Sequence, residues 1–259
     1  MCKECGCGLG GESVQIGGHS LEHDHHDHHG LEHAHHHERS GKTVALNRSL
    51  LEKNDQLAER NRGFFRAKKL LVLNVVSAPG SGKTTFIRET ATKLSGKLRV
   101  GVIVGDLATD NDAVQLRQAS IPVVQITTGT VCHLDAEMVA KAAAQLDLDK
   151  LDVLVIENVG NLVCPADYDL GENLRVVLFS VTEGEDKPLK YPPMFHSADV
   201  AVVTKSDLAA AVGFDRLEAL ANLKRISHHA HVFELSAKSG EGMKGWLDFL
   251  MNQRASGGF

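Results

Sequence analysis

The strongest chemical signal in the sequence is the segment 77–84 (Ser-Ala-Pro-Gly-Ser-Gly-Lys-Thr), between a strand-like apolar run and a helix-like pattern. Small residues there let backbone N–H groups close around a phosphate at a helix N-terminus, so the segment predicts a phosphate-binding loop rather than an ordinary Gly-rich turn. Serine replaces the glycine that usually begins such loops. The residues predicted to bind the nucleotide here are Gly80, Ser81, Gly82, Lys83, Thr84 and Thr85.

Three carboxylates follow predicted strands and suggest a cation site. Asp106 ends the second strand, Asp110 lies in the loop after it, and Glu157 ends the fourth strand. A Mg²⁺ ion is expected on Thr84, Asp106 and Glu157, because it prefers hydroxyl and carboxylate oxygens. Lys83, Asp106 and Asp110 are the predicted catalytic residues for phosphate hydrolysis. The alternative for Asp110 is a solvated loop carboxylate.

Two later turns indicate which base is bound. Lys205 and Asp207 lie in a Thr-Lys-Ser-Asp segment, and Ala237 lies in a Ser-Ala-Lys segment after the last strand. A carboxylate at Asp207 can accept from two guanine N–H groups, a donor pair that adenine lacks, so GTP and GDP are predicted. An ATP-dependent kinase is the alternative. Thr204 stands where guanine-binding segments usually have asparagine, and its shorter side chain is expected to weaken guanine binding.

Three cysteines at the N-terminus predict a metal site. Cys2, Cys5 and Cys7 are close enough in sequence to surround one soft or borderline cation, and their spacing makes mutual disulfides difficult. Ni²⁺ and Zn²⁺ both suit such donors. Three unrelated thiols are the less specific alternative.

Ten histidines occur between positions 19 and 37. Neutral imidazole binds Ni²⁺ and Zn²⁺, and a run of interchangeable ligands predicts weak nickel storage. An expression tag is the alternative, although acidic residues and glycine interrupt the tract. The residues are His19, His23, His25, His26, His28, His29, His33, His35, His36 and His37.

A third candidate metal group lies further along the chain. Cys132 and His133 follow the third predicted strand, and Cys164 follows the fourth. Loops after neighbouring parallel strands emerge at one edge of a sheet, so these side chains can meet near the nucleotide, and a symmetric dimer can share their metal. Spacing alone favours the alternative that each cysteine is a small buried residue.

The elements that position these residues form an α/β pattern. Strands alternate with helices, which predicts a mostly parallel seven-stranded sheet covered by helices on both faces. Four parts are expected: a largely disordered metal-binding tail at 1–41, an amphipathic helix at 42–69, a phosphate-loop domain at 70–253 and a frayed end at 254–259. The predicted strands are Leu70–Val76, Leu98–Val104, Pro122–Ile126, Leu151–Ile156, Leu174–Val181, Val200–Thr204 and His231–Leu235.

Composition excludes several classes of function. Residues 1–40 contain two basic and seven acidic residues, a net charge of −5 that equals the formal charge of the whole chain. The remainder is neutral, so no nucleic-acid partner is expected. No apolar run reaches the roughly 18 residues of a membrane helix, so no membrane partner is expected either. The polar N-terminus predicts a cytoplasmic protein.

With these motifs together, the chain resembles the hydrogenase nickel-incorporation GTPases over nearly its full length. The phosphate loop alone would be unspecific, but its combination with both cysteine-bearing segments is highly specific. The matching segments are 2–7, the His-rich tract, 54–62, 79–84, 128–136 and 157–165.

The resemblance implies a GTP-dependent homodimer related to the urease nickel chaperone. It implies a tight nickel site at the N-terminal cysteines, and nickel or zinc at Cys132, His133 and Cys164 on the dimer interface. The implied partners are a small nickel metallochaperone, the hydrogenase large-subunit precursor and a metal-binding prolyl isomerase. Two alternatives remain open at this stage, a urease-type nickel-delivery GTPase and a protein that primarily stores nickel or zinc.

Overall fold

The computed structural model describes residues 15–16, 19–20 and 38–257, with side chains from residue 48 onward. Cys2, Cys5, Cys7 and the histidines from His23 to His37 lie outside the described residues. The strands are β1 (Gln15–Ile16), β2 (His19–Ser20), β3 (Leu71–Ser77), β4 (Val100–Asp106), β5 (Val123–Thr127), β6 (Val153–Glu157), β7 (Leu174–Ser180), β8 (Val200–Thr204) and β9 (His231–Glu234).

Seven of these strands form the predicted parallel sheet, in the order β5-β4-β6-β3-β7-β8-β9. β3 lies at its centre between β6 and β7, and all seven residues of β3 are buried, as expected of a strand covered on both faces. The short antiparallel strands β1 and β2 extend the sheet beyond β5, with Gln15 opposite Thr127 and Ile16 opposite Ile126. The sequence pattern did not predict this pair.

Helices cover both faces of the sheet. They are α1 (Glu38–Ala67), α2 (Lys83–Leu94), α3 (Asn111–Gln118), α4 (Ala136–Ala143), α5 (Lys187–Lys190), α6 (Pro192–His196), α7 (Ala209–Val212), α8 (Arg216–Ile226) and α9 (Met243–Ser256). Helix α1 begins at Glu38, before the predicted start at residue 42. Helix α9 continues to Ser256, into the range 254–259 that was predicted to be frayed, and its Arg254 lies 3.6 Å from the Asp152 carboxylate. None of these helices is both long and apolar enough to cross a bilayer.

Alternate residues of β3 fill two separate cores. Leu71 and Leu73 pack with α2 and α9 on one face, whereas Val72 packs with α1 and α4 on the other. On the first face the ring of Trp246 is fully buried 5.2 Å from that of Phe86, and its indole N–H donates to the Thr90 hydroxyl at 3.0 Å. The two cores fix β3, and with it the start of the loop at 77–84.

The seven-residue repeat of Val44, Leu51, Ala58 and Phe65, flanked by Leu50, Leu57 and Phe64, predicts an apolar stripe on α1. The buried stripe of the helix is instead partly polar. Asn54, Ala58, Asn61 and Phe65 are buried, whereas Leu50 and Phe64, which flank the predicted stripe, are about half exposed. The Asn61 amide donates to the carbonyls of Ala136 and Leu170 at 2.8 and 3.1 Å. Asn54 accepts from the Ala136 N–H at 2.9 Å and donates to the Asp169 carbonyl at 2.8 Å. Helix α1 is therefore attached to the domain through backbone hydrogen bonds as well as apolar contact.

Asn61→Ala is expected to reduce the free energy of unfolding by about 1–3 kcal/mol, because it leaves two buried carbonyls without their donor. The measurement is urea unfolding of the full chain. Gln56→Ala, at an exposed position of the same helix, is the control and should change stability by less than about 0.5 kcal/mol. Equal effects of the two substitutions would contradict a structural role for Asn61.

Candidate nucleotide and metal site

The segment 77–84 forms a tight loop between β3 and α2. Gly80 and Gly82 have φ of 78° and 93°, a left-handed conformation that favours glycine. Helix α2 begins at Lys83, so its N-terminal N–H groups face the space enclosed by the loop. Thr84 and Thr85 lie half-buried in its first turn. This is the geometry of a phosphate cradle.

Lys83 is held inside this loop. Its Nζ donates to the Ser77 hydroxyl at 3.2 Å, so the serine that replaces the usual glycine supplies a hydrogen-bond partner. Burial lowers the pKa of Lys83, and the charge of Glu157 opposes that shift most strongly. A partly desolvated ammonium group among carboxylates is suited to bind a polyanion.

Glu157 is the second charged group of the site. The Thr84 hydroxyl donates to Glu157 Oε1 at 2.8 Å, whereas Glu157 Oε2 is buried without a hydrogen-bond partner. Burial raises the pKa of Glu157 to about 7, although the Lys83 charge acts in the opposite direction. The half-buried Thr84 hydroxyl beside the buried, unsatisfied oxygen of Glu157 fits a divalent cation, so the donor set is compatible with Mg²⁺.

Asp106 lies at the end of β4, as predicted. Its Oδ1 accepts from the backbone N–H groups of Ala108 and Thr109 at 3.0 and 2.9 Å, which orders the loop that follows. Asp110 is exposed just before α3. Asp112, within α3, was not predicted, yet its charge acts on both Lys83 and Glu157. The sequence alone could not show which of Asp110 and Asp112, two positions apart, acts on the charges of Lys83 and Glu157.

Glu183 is a second residue that the sequence analysis missed. Its Oε2 accepts from the Ser81 hydroxyl and the Ser180 N–H, both at 2.7 Å, and its Oε1 lies 2.8 Å from Lys187 Nζ. The carboxylate thus connects the end of β7 to the phosphate loop. Its position three residues after a buried strand was the only available signal.

The segment predicted to bind the base is also connected to the phosphate loop. The Thr204 hydroxyl donates to the Ser81 carbonyl at 2.7 Å, and Lys205 Nζ donates to the Gly80 carbonyl at 2.8 Å. The shorter side chain of Thr204 therefore supports the loop directly. Asp207 is exposed in a single turn of 3-10 helix that follows Lys205.

The last residue predicted to bind the base, Ala237, comes from the neighbouring loop. The Ser206 N–H donates to the Leu235 carbonyl at 3.2 Å, which joins the loops after β8 and β9. Ala237 lies half-buried two residues beyond Leu235. The predicted guanine residues therefore come from adjacent loops at one edge of the sheet.

Cys132, His133 and Cys164 converge. One ligand atom from each lies within 4.8 Å of the others, the only such group of three or more potential ligands in the described part of the chain. The two Sγ atoms are 3.1 Å apart. Thiolates on one Zn²⁺-like ion at roughly 2.3 Å lie roughly 3–4 Å apart, so small adjustments suffice for both to bind it. Each residue is half-buried, so the group is accessible from solvent.

His133 is prepared for metal binding by its surroundings. Its ring stacks on Tyr168 with centroids 3.9 Å apart, and its Nδ1 is buried without a hydrogen-bond partner. Burial lowers the pKa of His133, although nearby Asp135 opposes the shift. The neutral imidazole is the form that binds a metal ion.

Asn161 holds the two cysteine-bearing loops together. Its amide donates to the Cys132 carbonyl at 3.2 Å, and its Oδ1 accepts from the Val163 N–H at 2.9 Å. The first contact fixes the loop after β5, and the second fixes the loop after β6 next to Cys164. The convergence of the cysteines therefore depends on this side chain, which their spacing in sequence does not show.

The chain is similar to several characterised proteins. The sequence profile of the CobW/HypB/UreG nucleotide-binding domain matches residues 71–234. The hydrogenase maturation factor HypB of Escherichia coli strain K12 is 50% identical over 207 residues, which cover 80% of this chain and 71% of that protein. A crystal structure of HypB from Helicobacter pylori in complex with nickel aligns with a TM-score of 0.76 and 38% identity, covering 79% of this chain and 96% of that one.

A crystal structure of HypB from Archaeoglobus fulgidus gives a similar result, with a TM-score of 0.74, 40% identity, and coverage of 78% of this chain and 99% of that one. The matched domain includes the phosphate loop, the carboxylates at the ends of β4 and β6, and both cysteine-bearing loops. Sequence identity and fold thus agree over the same residues. The chain therefore belongs to the HypB family of hydrogenase maturation factors, within the wider CobW/HypB/UreG group of nucleotide-binding proteins.

Proposed function

We propose that this chain is a GTP-hydrolysing nickel metallochaperone that delivers nickel to the large-subunit precursor of a [NiFe] hydrogenase and stores further nickel in its His-rich tract. One observation carries the proposal: the soft-donor group and the phosphate loop share one edge of the sheet. The loops with Cys132 and Cys164 follow β5 and β6, the two neighbours of β4, which ends at Asp106. The nickel in the Helicobacter pylori structure supports the choice of metal.

In this proposal the chain binds GTP through residues of four loops. Lys83 contacts the β- and γ-phosphates, and Thr84, Asp106 and Glu157 hold the Mg²⁺ that offsets their charge. Lys205, Asp207 and Ala237 recognise guanine. Asp110 remains the predicted residue for positioning the attacking water. Hydrolysis is expected to be slow, because a switch that times delivery needs little turnover.

The proposed metal chemistry uses two cysteine sites. Cys2, Cys5 and Cys7 form the tight nickel site, and the Cys132–His133–Cys164 group binds nickel or zinc on the interface of a GTP-dependent homodimer. A small nickel metallochaperone and a metal-binding prolyl isomerase act as partners, and we place this exchange in the cytoplasm. No part of the proposal requires a membrane or a nucleic acid.

Coupling between the sites follows from their connection. Glu157 and Cys164 belong to one segment, seven residues apart, so a nucleotide that moves the end of β6 also moves a metal ligand. Linkage then requires that bound metal changes nucleotide affinity by the same factor. The nucleotide state would in this way determine when nickel is released.

The central test is nickel affinity of the full chain carrying Cys2→Ser, Cys5→Ser and Cys7→Ser, measured with Mg·GDP and with Mg and a non-hydrolysable GTP analogue. The thiolate-to-nickel charge-transfer absorption reports only cysteine-bound metal. The histidine tract competes for nickel equally in both nucleotide states, so it does not change the ratio of the two apparent affinities. We expect at least a roughly fivefold difference between the nucleotides. Equal nickel affinities and equal oligomeric states with the two nucleotides would contradict the proposed switch.

In the same background, Cys164→Ser should abolish the charge-transfer band expected for two thiolates and weaken nickel binding by about tenfold or more. His133→Asn should weaken nickel binding but keep the charge-transfer band, because both cysteines remain. His196→Asn, an exposed imidazole outside the group, is the matched control and should leave affinity unchanged. Retention of the full band by Cys164→Ser would place the nickel elsewhere.

Asp207→Asn should exchange guanine specificity for xanthine specificity, because the amide offers one donor and one acceptor where the carboxylate offers two acceptors. We expect GDP affinity to fall by about 100-fold, close to 3 kcal/mol, while xanthosine diphosphate gains affinity. Isothermal titration with GDP, ADP and xanthosine diphosphate measures this. Tight ADP binding by the unaltered chain would contradict the choice of guanine.

Glu157 should make the stability of the nucleotide-free protein depend on pH. Its pKa is raised from 4.5 to about 7, so the folded state holds the proton more tightly, and the resulting stability is lost as pH rises through 7. The loss between pH 5 and pH 8 is at most about 3 kcal/mol by urea unfolding. Glu157→Gln should remove this dependence, whereas exposed Glu241→Gln should retain it.

A further inference from the structure

We propose that Asn158 is the positioning residue that couples the nucleotide site to the metal group, by carrying displacement of the Glu157 end of β6 into the loop that holds His133. The inference rests on the proposed nickel function and names the side chain through which that switch acts. It differs from the connection through Cys164, because Asn158 reaches the other metal loop, the one after β5.

The starting point is the position of Asn158 directly after Glu157. The Glu157 carboxylate accepts from the Thr84 hydroxyl at 2.8 Å, in the first turn of the helix that follows the phosphate loop. A cation at this hydroxyl would alter that contact, and Glu157 has a second, unsatisfied oxygen with which to respond. Because one peptide bond separates Glu157 from Asn158, a shift of the first displaces the second.

The side chain of Asn158 makes its hydrogen bonds in the interior of the domain. The side chain is 1% exposed. Its Oδ1 accepts from the N–H groups of Leu134 and Val159 at 3.2 and 2.9 Å, and its amide donates to Asn74 Oδ1 at 3.3 Å. The contact with Leu134 crosses from the loop after β6 to the loop after β5, immediately beside His133.

The loop after β5 is in turn held close to β4. Leu134 is fully buried, and a Cβ placed on Gly105 would lie 2.8 Å from its side chain, so the leucine packs directly on the β4 backbone. The Thr128 N–H donates to the Asp106 carbonyl at 2.9 Å, at the end of the same strand. The loop with His133 is thus packed between two strands that end in the proposed Mg²⁺ ligands, Asp106 and Glu157.

The far side of Asn158 is anchored. Asn74, in the central strand β3, donates to Glu172 Oε1 at 3.0 Å, and that carboxylate is paired with Arg175 at 3.0 Å. All three of these side chains are buried. With its amide held by β3 and its oxygen shared between two loops, Asn158 can turn only by changing its contact with Leu134. A displacement of β6 would therefore shift the backbone of Leu134, which one peptide bond joins to His133.

The experiment is a coupling measurement on the full chain with the three N-terminal cysteines replaced by serine. Nickel affinity is measured by the thiolate-to-nickel absorption with Mg·GDP and with Mg and a non-hydrolysable GTP analogue. The ratio of the two affinities is the readout, and a merely structural defect, which weakens both, does not change it. We expect at least a roughly fivefold ratio for the parent and a ratio within about twofold of unity for Asn158→Ala.

Two further variants keep the test interpretable. Asn158→Asp retains the oxygen that accepts from Leu134 but loses the amide that donates to Asn74, so its ratio should lie between those of the parent and of Asn158→Ala. Asn54→Ala is the matched control, since Asn54 is a buried asparagine that also accepts from a backbone N–H of this segment, at Ala136, but comes from α1. It should lower stability by about as much as Asn158→Ala and leave the ratio at the parent value.

The outcomes separate the two proposals. A parent ratio above fivefold that persists in Asn158→Ala would overturn the role of Asn158 and leave the nickel switch intact. A parent ratio of one would overturn the switch and the role of Asn158 together. If Asn158→Ala does not fold, Asn158→Asp and Asn74→Ala replace it. A ratio in Asn74→Ala equal to that of the parent would contradict the proposed role of the Asn74 contact in holding Asn158.

Discussion

The arrangement of this domain depends on one geometric constraint, that neighbouring parallel strands end at the same edge of their sheet. β3 delivers the phosphate loop, β4 and β6 deliver carboxylates, β8 and β9 deliver the predicted base-binding residues, and β5 and β6 lead into the cysteine loops. Groups up to 160 residues apart in sequence are thereby collected on one surface. The two buried cores on β3 are what keep this edge in register.

Polar packing supplements the apolar cores near the site. Asn54, Asn61, Asn74 and Asn158 are all buried, and each accepts or donates a hydrogen bond across elements far apart in sequence. Leaving such a group unpaired costs about 1–3 kcal/mol, so each asparagine admits few alternative positions for its partner loop. Apolar contacts alone would hold these loops less specifically, because the hydrophobic effect has no preferred direction. These buried hydrogen bonds are concentrated around the loops that carry the candidate metal ligands.

The sequence predicted the fold and the phosphate loop well, for identifiable reasons. The parallel strands other than β9 are largely apolar runs, and the segment 77–84 lies between a strand and a helix, as a phosphate-binding loop requires. The predicted buried stripe of α1 was wrong in part, because a search for periodic apolar residues passes over Asn54 and Asn61, which are polar but buried. Asp112 and Glu183 were missed, because a single acidic residue near a strand end has no signature that separates it from a solvated one.

The convergence of Cys132, His133 and Cys164 shows the limit of spacing arguments. Their positions after adjacent strands allowed a shared site, but spacing favoured separate buried residues, and only the resemblance to a family tipped the balance. The geometry depends on Asn161, whose two contacts draw the loops together. Such side chain to backbone bonds across two loops leave no periodic trace in a sequence, whereas the fold displays them directly.

The antiparallel pairing of β1 with β5 has a consequence for the reach of the N-terminal segment. Because Gln15 lies opposite Thr127, the chain that precedes it starts from the same side of the molecule as the loop with Cys132. Cys7 is eight residues before Gln15, and a fully extended chain of that length spans at most roughly 28 Å. If the proposed N-terminal site binds an ion, transfer of that ion to Cys132 and Cys164 of the same chain would be intramolecular, and its rate would not depend on protein concentration.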